Sequence, residues 1–126
     1  MENVNKKITS FTDLLAWKNN HRLVLAIYKI TKNFPKEEIY GLTNQMRRAS
    51  ISITSNIAEG FGRKSFKEKI NFYYIAKGSI TELENQIIIS KDVGYIDQNI
   101  FKKLIEMLTE GHKILNGLIS KSKEYL

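Results

Sequence analysis

The chain has 126 residues and a formal net charge of +7, from 20 Lys and Arg against 13 Asp and Glu. That length suits one domain, residues 1–126, with a core of its own. The absence of cysteine excludes disulfides, thiolate zinc sites and cysteine nucleophiles, and the basic balance favours polyanionic partners such as nucleic acid, anionic lipid or acidic protein.

Apolar residues recur at steps of three and four in four segments, predicted as helices over about 12–33, 38–59, 66–91 and 98–124. In the first, Leu14, Trp17, His21, Val24 and Tyr28 make the stripe. Ser10 or Thr12 is the expected cap, with Asp13 in the favourable first turn. Pro35, the single proline, closes this segment. The second segment carries Leu42, Met46, Ala49, Ile53 and Ile57. It is otherwise built from small Ala, Ser and Thr residues, which let neighbouring helices approach closely. Its brief β-branched alternation, Ile51-Ser-Ile-Thr, lies inside that stripe and is read as helix.

A corner follows, Gly60-Phe-Gly-Arg-Lys-Ser65. The third segment then shows Ile70, Tyr73, Ala76, Ile80, Leu83 and Ile87 in one seam, with Phe72, Tyr74 and Ile75 beside it. Gly94 is the expected stop after it, and Asp97 the cap of the last helix. That helix has two adjacent seams: Ile100, Leu104, Met107, Gly111, Ile114, Leu118, and Phe101, Ile105, Leu108, His112, Leu115, Ile119. Four helices with short connections imply an all-α, antiparallel up-down-up-down four-helix bundle. The double seam is wider than one core requires and suggests contact with a second subunit.

No apolar run approaches the roughly 20 residues of a membrane span. The opening Met1-Glu-Asn-Val-Asn-Lys-Lys7 lacks the apolar stretch of a leader. A cytoplasmic protein without a membrane partner is expected.

Catalytic signals are weak. The corner ends in Lys64-Ser65 like the tail of a phosphate-binding loop, but Arg63 stands where glycine is needed, and no strand precedes it. A lesser expectation is that its flexible glycines, Arg63, Lys64, Ser65 and the following helix N-terminus hold one phosphate group. The alternative is an ordinary turn capped by Ser65. Glu-x-x-His pairs of a di-iron bundle are absent. His21 and His112 fall on apolar stripes, where structural roles are usual. Ser120 and Lys123 have the spacing of some acyl-enzyme nucleophiles, but they sit at the solvated end of the chain. No catalytic residue, metal or cofactor is therefore expected, and the protein is read as non-enzymatic.

Binding is the better reading of the charges. Arg47, Arg63, Lys64, Lys67 and Lys77 are the main candidates for phosphate contact, with Arg22 and Lys18 behind them. The competing reading is a solvated charged face. Arg47 and Arg48 point about 100° apart on a helix. Arg48 is assigned to an internal pair with Glu82 or Glu84, and Arg47 to the outside. Asn56 and Glu59 are read as part of the same polar lock.

Over nearly its whole length the chain resembles the small four-helix proteins encoded in bacterial 23S rRNA intervening sequences. Phe34-Pro-Lys-Glu-Glu, Tyr40-Gly-Leu-Thr-Asn-Gln, Arg47-Arg-Ala, Ser52, Asn56-Ile-Ala-Glu-Gly-Phe-Gly-Arg63 and Ala76-Lys-Gly-Ser-Ile-Thr-Glu-Leu-Glu84 carry the likeness. Where that family often has arginine, Lys77 keeps the charge and loses the planar fork. The resemblance implies a ring-shaped homopentamer. It also implies likeness to the nucleic-acid-binding accessory protein of diversity-generating retroelements, which binds a reverse transcriptase. The expected function is binding of nucleic acid, structured RNA in particular. The alternative is an adapter that docks an acidic or nucleic-acid-bound protein such as a reverse transcriptase.

Overall fold

A computed structural model describes residues 7–126, and the polar opening Met1–Lys6 lies outside the described residues. Four helices follow one another: α1 Leu15–Thr31, α2 Leu42–Phe61, α3 Phe66–Asp92 and α4 Gln98–Lys123. Each packs on two others, α1 and α3 both lying against α2 and α4.

The first helix starts later than its pattern suggests. Ser10 and Asp13 form a reciprocal capping box, but they cap a single 3-10 turn over Phe11–Asp13. Leu14 is extended, and α1 begins after it. The core stripe of α1 is also displaced. Ala16, Asn20, Leu23, Val24, Ile27 and Thr31 are its buried residues. Of the expected stripe, Leu14 and Val24 are buried. Trp17, His21 and Tyr28 form a half-buried flank, in which the Trp17 and His21 rings stack at 4.5 Å.

The middle helices follow their seams. In α2, Met46, Ala49, Ile53 and Ile57 are fully buried, with Leu42 at the edge. All six seam residues of α3 are buried. Burying each Ile or Leu contributes about 1.5–3 kcal/mol, which outweighs the modest penalty of β-branched residues in a helix. Between these helices the contact is lined by small polar groups, Ser52 Oγ meeting Ser79 Oγ at 2.8 Å. Gly60 is buried here, inside α2: a Cβ on it would stand 2.7 Å from Tyr73 Cε1.

Both expected caps form. Ser65 Oγ accepts from the Glu68 amide at 3.2 Å, and an Asp97 carboxylate oxygen from the Ile100 amide at 2.8 Å. Gly94 takes φ +88°, a conformation that side chains resist. The two seams of α4 prove to be one wide face. Leu104, Leu108, Gly111, Leu115 and Ile119 are its buried centre, while Ile100, Phe101, Ile105, Met107, Ile114 and Leu118 pack against the core from both sides. Exposed apolar residues are found instead on other elements, among them Tyr74, Ile75, Ile88 and Ile89 on α3 and Leu15 and Leu25 on α1.

Two loops meet at one end. Tyr95 Oη donates to Glu38 Oε2 at 2.7 Å, and the Phe34 and Tyr95 rings lie 5.2 Å apart. The other oxygen of Glu38 accepts from the Leu42 amide at 3.1 Å, satisfying the start of α2. These bonds, the Tyr95 hydroxyl first, hold the Glu38 carboxyl below its ordinary value. The same bond, with burial, raises Tyr95.

Candidate nucleic-acid interface

Helix α2 runs through Gly60 and Phe61, so the corner is tighter than a flexible phosphate loop. Gly62 caps it with φ −78°. Besides capping α3 through the Glu68 amide, the Ser65 hydroxyl donates to Glu68 Oε2 at 3.1 Å. The glycines therefore belong to an ordinary capped turn between helices and not to a flexible loop.

Arg47, Arg48 and Arg63 are committed to their own chain. Arg63 pairs with Glu59 at 2.6 Å, and its guanidinium lies 4.6 Å from the Phe72 ring centre. Arg48 meets Glu82, one of the two partners expected for it, but the pair lies at the surface and Arg47 takes the inner place. Arg47 turns inward: its Nε donates to the hydroxyl of buried Thr31 at 2.9 Å, and its guanidinium lies over Tyr28 at 4.7 Å. Arg48 faces water, 53% exposed, where it pairs with Glu82 and bonds Gln45. The polar lock is correspondingly smaller than expected. Asn56 donates to the Ser52 carbonyl oxygen at 2.8 Å within its own helix. Glu59 is occupied by Arg63 instead, and Glu84 is exposed away from both arginines.

The lysines are less encumbered. Lys64 and Lys67 are exposed and form no ion pair among the described residues. Lys18 and Lys77 are half-buried. Arg22 is exposed, but Glu106 and Glu110 share its cavity on the α1–α4 side.

Three lysines missed in the sequence join the corner. Lys69 donates to the Phe61 carbonyl oxygen at 2.5 Å. Lys121, from the end of α4, lines the same cavity as Phe61 and Phe66. Lys123 lies 5.3 Å above the Tyr74 ring of α3. The signal was the run of lysines in the last turn of α4, and only the packing of α4 against α3 carries it to the corner. Arg63, Lys64, Lys67, Lys69, Lys121 and Lys123 thus form one basic end. Clustered cations interleaved with aromatic rings can neutralise phosphates and stack on unpaired bases. Arg47, Arg22 and Lys77 lie along the helices instead.

Among the described residues, Asn20 Oδ1 and Gln86 Oε1 are buried without a hydrogen-bond partner. Asn20 donates to the carbonyl oxygens of Ala16 at 2.8 Å and Gly111 at 3.3 Å. His112 is half-buried, and its Nε2 lacks a partner among the described residues. No group of three or more His, Asp or Glu able to hold a metal occurs among the described residues. Nor is any described helix long and apolar enough to cross a membrane.

The sequence profile of a family described as "23S rRNA-intervening sequence protein" matches residues 12–117. A solved structure from Bacteroides thetaiotaomicron, described as a protein with unknown function from the S23 ribosomal protein family, is similar in fold. It is 23% identical, with a TM-score of 0.74 over 83% of this chain and 98% of that one. No curated protein matches the chain.

Proposed function

The chain belongs to the 23S rRNA-intervening sequence protein family, and from that premise we propose that it is a non-enzymatic, basic helical protein that binds nucleic acid. Structured RNA is the favoured partner, held through its phosphates with little reading of base sequence. The observation that carries this reading is the convergence of the α2–α3 corner and the α4 terminus into one basic end. There Lys64 and Lys67 are exposed without ion pairs among the described residues. The net charge of +7 supports it.

The reading includes an up-down-up-down helix order, a cytoplasmic location and assembly into a ring-shaped homo-oligomer, a pentamer by family resemblance. Exposed Ile75 and Ile89 on α3, 52% and 40% accessible, support self-contact, since such surface is costly to leave wet. Repeating the basic end around a ring would raise its avidity for a polyanion.

A groove on the α1–α4 side supports a second reading, the protein adapter. Its apolar floor includes Ile30, Leu104 and Met107, and Lys29 and Lys103 flank it. Affinity capture before and after nuclease treatment separates the two. Partners released by nuclease favour the nucleic-acid reading, and a protein retained after treatment favours the adapter. Light scattering of the purified chain tests the assembly, and a monomer at all concentrations would remove it.

A further inference from the structure

The α2–α3 corner and the C-terminal segment border a cavity of about 310 Å³, at the lower end of the ~300–1,000 Å³ common among ligand pockets. Aromatic side chains make much of its wall: Phe61, Phe66, Tyr73 and Tyr125. The Phe66 and Tyr125 rings stack at 4.7 Å. Lys69 and Lys121 are the charged residues of the lining, and no acidic side chain joins them among the described residues. Glu106 lines two other cavities and would repel an anion there; the groove over Ile30 also has two lysines and no acidic lining residue among the described residues, but it lacks aromatic walls.

Two polar groups in the wall have unused capacity. The Lys69 ammonium donates to the Phe61 carbonyl oxygen at 2.5 Å. It lies 5.4 Å from the Phe61 ring centre and 5.8 Å from that of Phe66. An ammonium has three donors, and this contact uses one. Tyr73 is only 2% exposed, and its hydroxyl forms no hydrogen bond among the described residues. Burial pushes this one up to about 12, so it remains a neutral donor at physiological pH.

We propose that this cavity binds a small amphipathic monoanion, an aryl- or alkyl-carboxylate, with its apolar body against Phe61, Phe66 and Leu118 and its carboxylate on the Lys69 ammonium. Burial of the apolar body supplies affinity, and the charge-assisted bond selects the anion over a neutral analogue. The cavity shares Lys69 and Lys121 with the basic end, but Lys64 and Lys67, the exposed cations of the nucleic-acid reading, do not line it.

The test uses 4-phenylbutyrate and its neutral amide, titrated into the full chain by calorimetry and followed by backbone amide NMR shifts. One carboxylate binds per chain, shifting Phe61, Phe66 and Tyr125. The amide binds about tenfold more weakly. Lys69→Met brings the carboxylate to the affinity of the amide and leaves the amide unchanged. Leu118→Trp fills the cavity and abolishes both, while RNA binding persists. Equal wild-type affinities for carboxylate and amide would overturn the proposal, as would shifts confined to other residues. That wild-type comparison decides the matter even if Lys69→Met fails to fold.

Discussion

Asn20 on α1 and Gly111 on α4 share a single volume. A Cβ on Gly111 would collide with the Asn20 amide oxygen, while the Asn20 amide donates to the Gly111 carbonyl oxygen at 3.3 Å. Gly111→Ala should therefore cost about 1–3 kcal/mol through overpacking. Gly117→Ala, on the same helix with open space around its Cβ, should stabilise by roughly 0.5–1 kcal/mol through helix propensity. In an Asn20→Ala background, Gly111→Ala should lose most of its cost. Urea denaturation of the four variants measures this coupling. A neutral Gly111→Ala would count against the close approach.

The α2–α3 corner makes a related prediction. Tyr73 Cε1 and Phe72 Cβ would stand 2.7 and 3.0 Å from a Cβ on Gly60. The Tyr73 ring is buried and cannot swing clear. Gly60→Ala should destabilise by about 1–3 kcal/mol, whereas Gly62→Ala, whose nearest contact would be 3.6 Å away, should be nearly neutral. Thermal melts of the two variants decide this. Equal effects would mean that the glycines serve the turn and not the packing.

Neighbouring arginines should behave differently. Arg48 and Glu82 form an exposed pair, and such pairs contribute about 0–1 kcal/mol. Arg47 bonds buried Thr31 and covers Tyr28. Loss of the cation–π contact and the hydrogen bond should cost about 1–2 kcal/mol. Denaturation of Arg47→Ala and Arg48→Ala checks the order, and a larger loss for Arg48→Ala would contradict it.

Glu38 and Tyr95 predict a pH dependence with two limbs. Glu38 lies below its ordinary value of 4.5, chiefly through the Tyr95 hydroxyl. Its contribution is therefore present above that value and lost as pH falls through the depressed one. Tyr95 is raised above 10.0, chiefly through Glu38. Its contribution is present below 10.0 and lost as pH rises through the raised value. Tyr95→Phe should reduce both losses. Denaturation midpoints of the wild type and the variant across pH test this, and identical profiles would show that the clasp contributes nothing.

The limits of the sequence are physical. The α3 seam was legible because Ile70, Tyr73, Ala76, Ile80, Leu83 and Ile87 keep steps of three and four along the whole helix, although Phe72, Tyr74 and Ile75 adjoin it. The caps Ser65 and Asp97 were legible because capping is local chemistry. The α1 stripe was misplaced because Ala16, Asn20 and Thr31 carry little hydrophobic signal, while Trp17 and Tyr28 carry much. Asn20 is buried through a glycine ninety-one residues away, which no local period reveals. Helical geometry separated Arg47 from Arg48, and the Arg48–Glu82 pair was legible, but not which of the two arginines would turn inward. That depends on how α2 sits between α1 and α3. The basic corner was half legible: Arg63, Lys64 and Lys67 adjoin in sequence, whereas Lys121 and Lys123 arrive only through packing.

The nucleic-acid reading rests on cations that neutralise phosphate, and its most direct test is a fluorescence anisotropy titration of a labelled RNA hairpin across a salt series. The account predicts tight binding near 50 mM salt that falls by orders of magnitude toward ~200 mM. Lys64→Ala/Lys67→Ala should leave the thermal melt unchanged while weakening binding. The slope of log affinity against log salt should become shallower by about one for each lysine removed. Absence of binding at low salt would contradict the account.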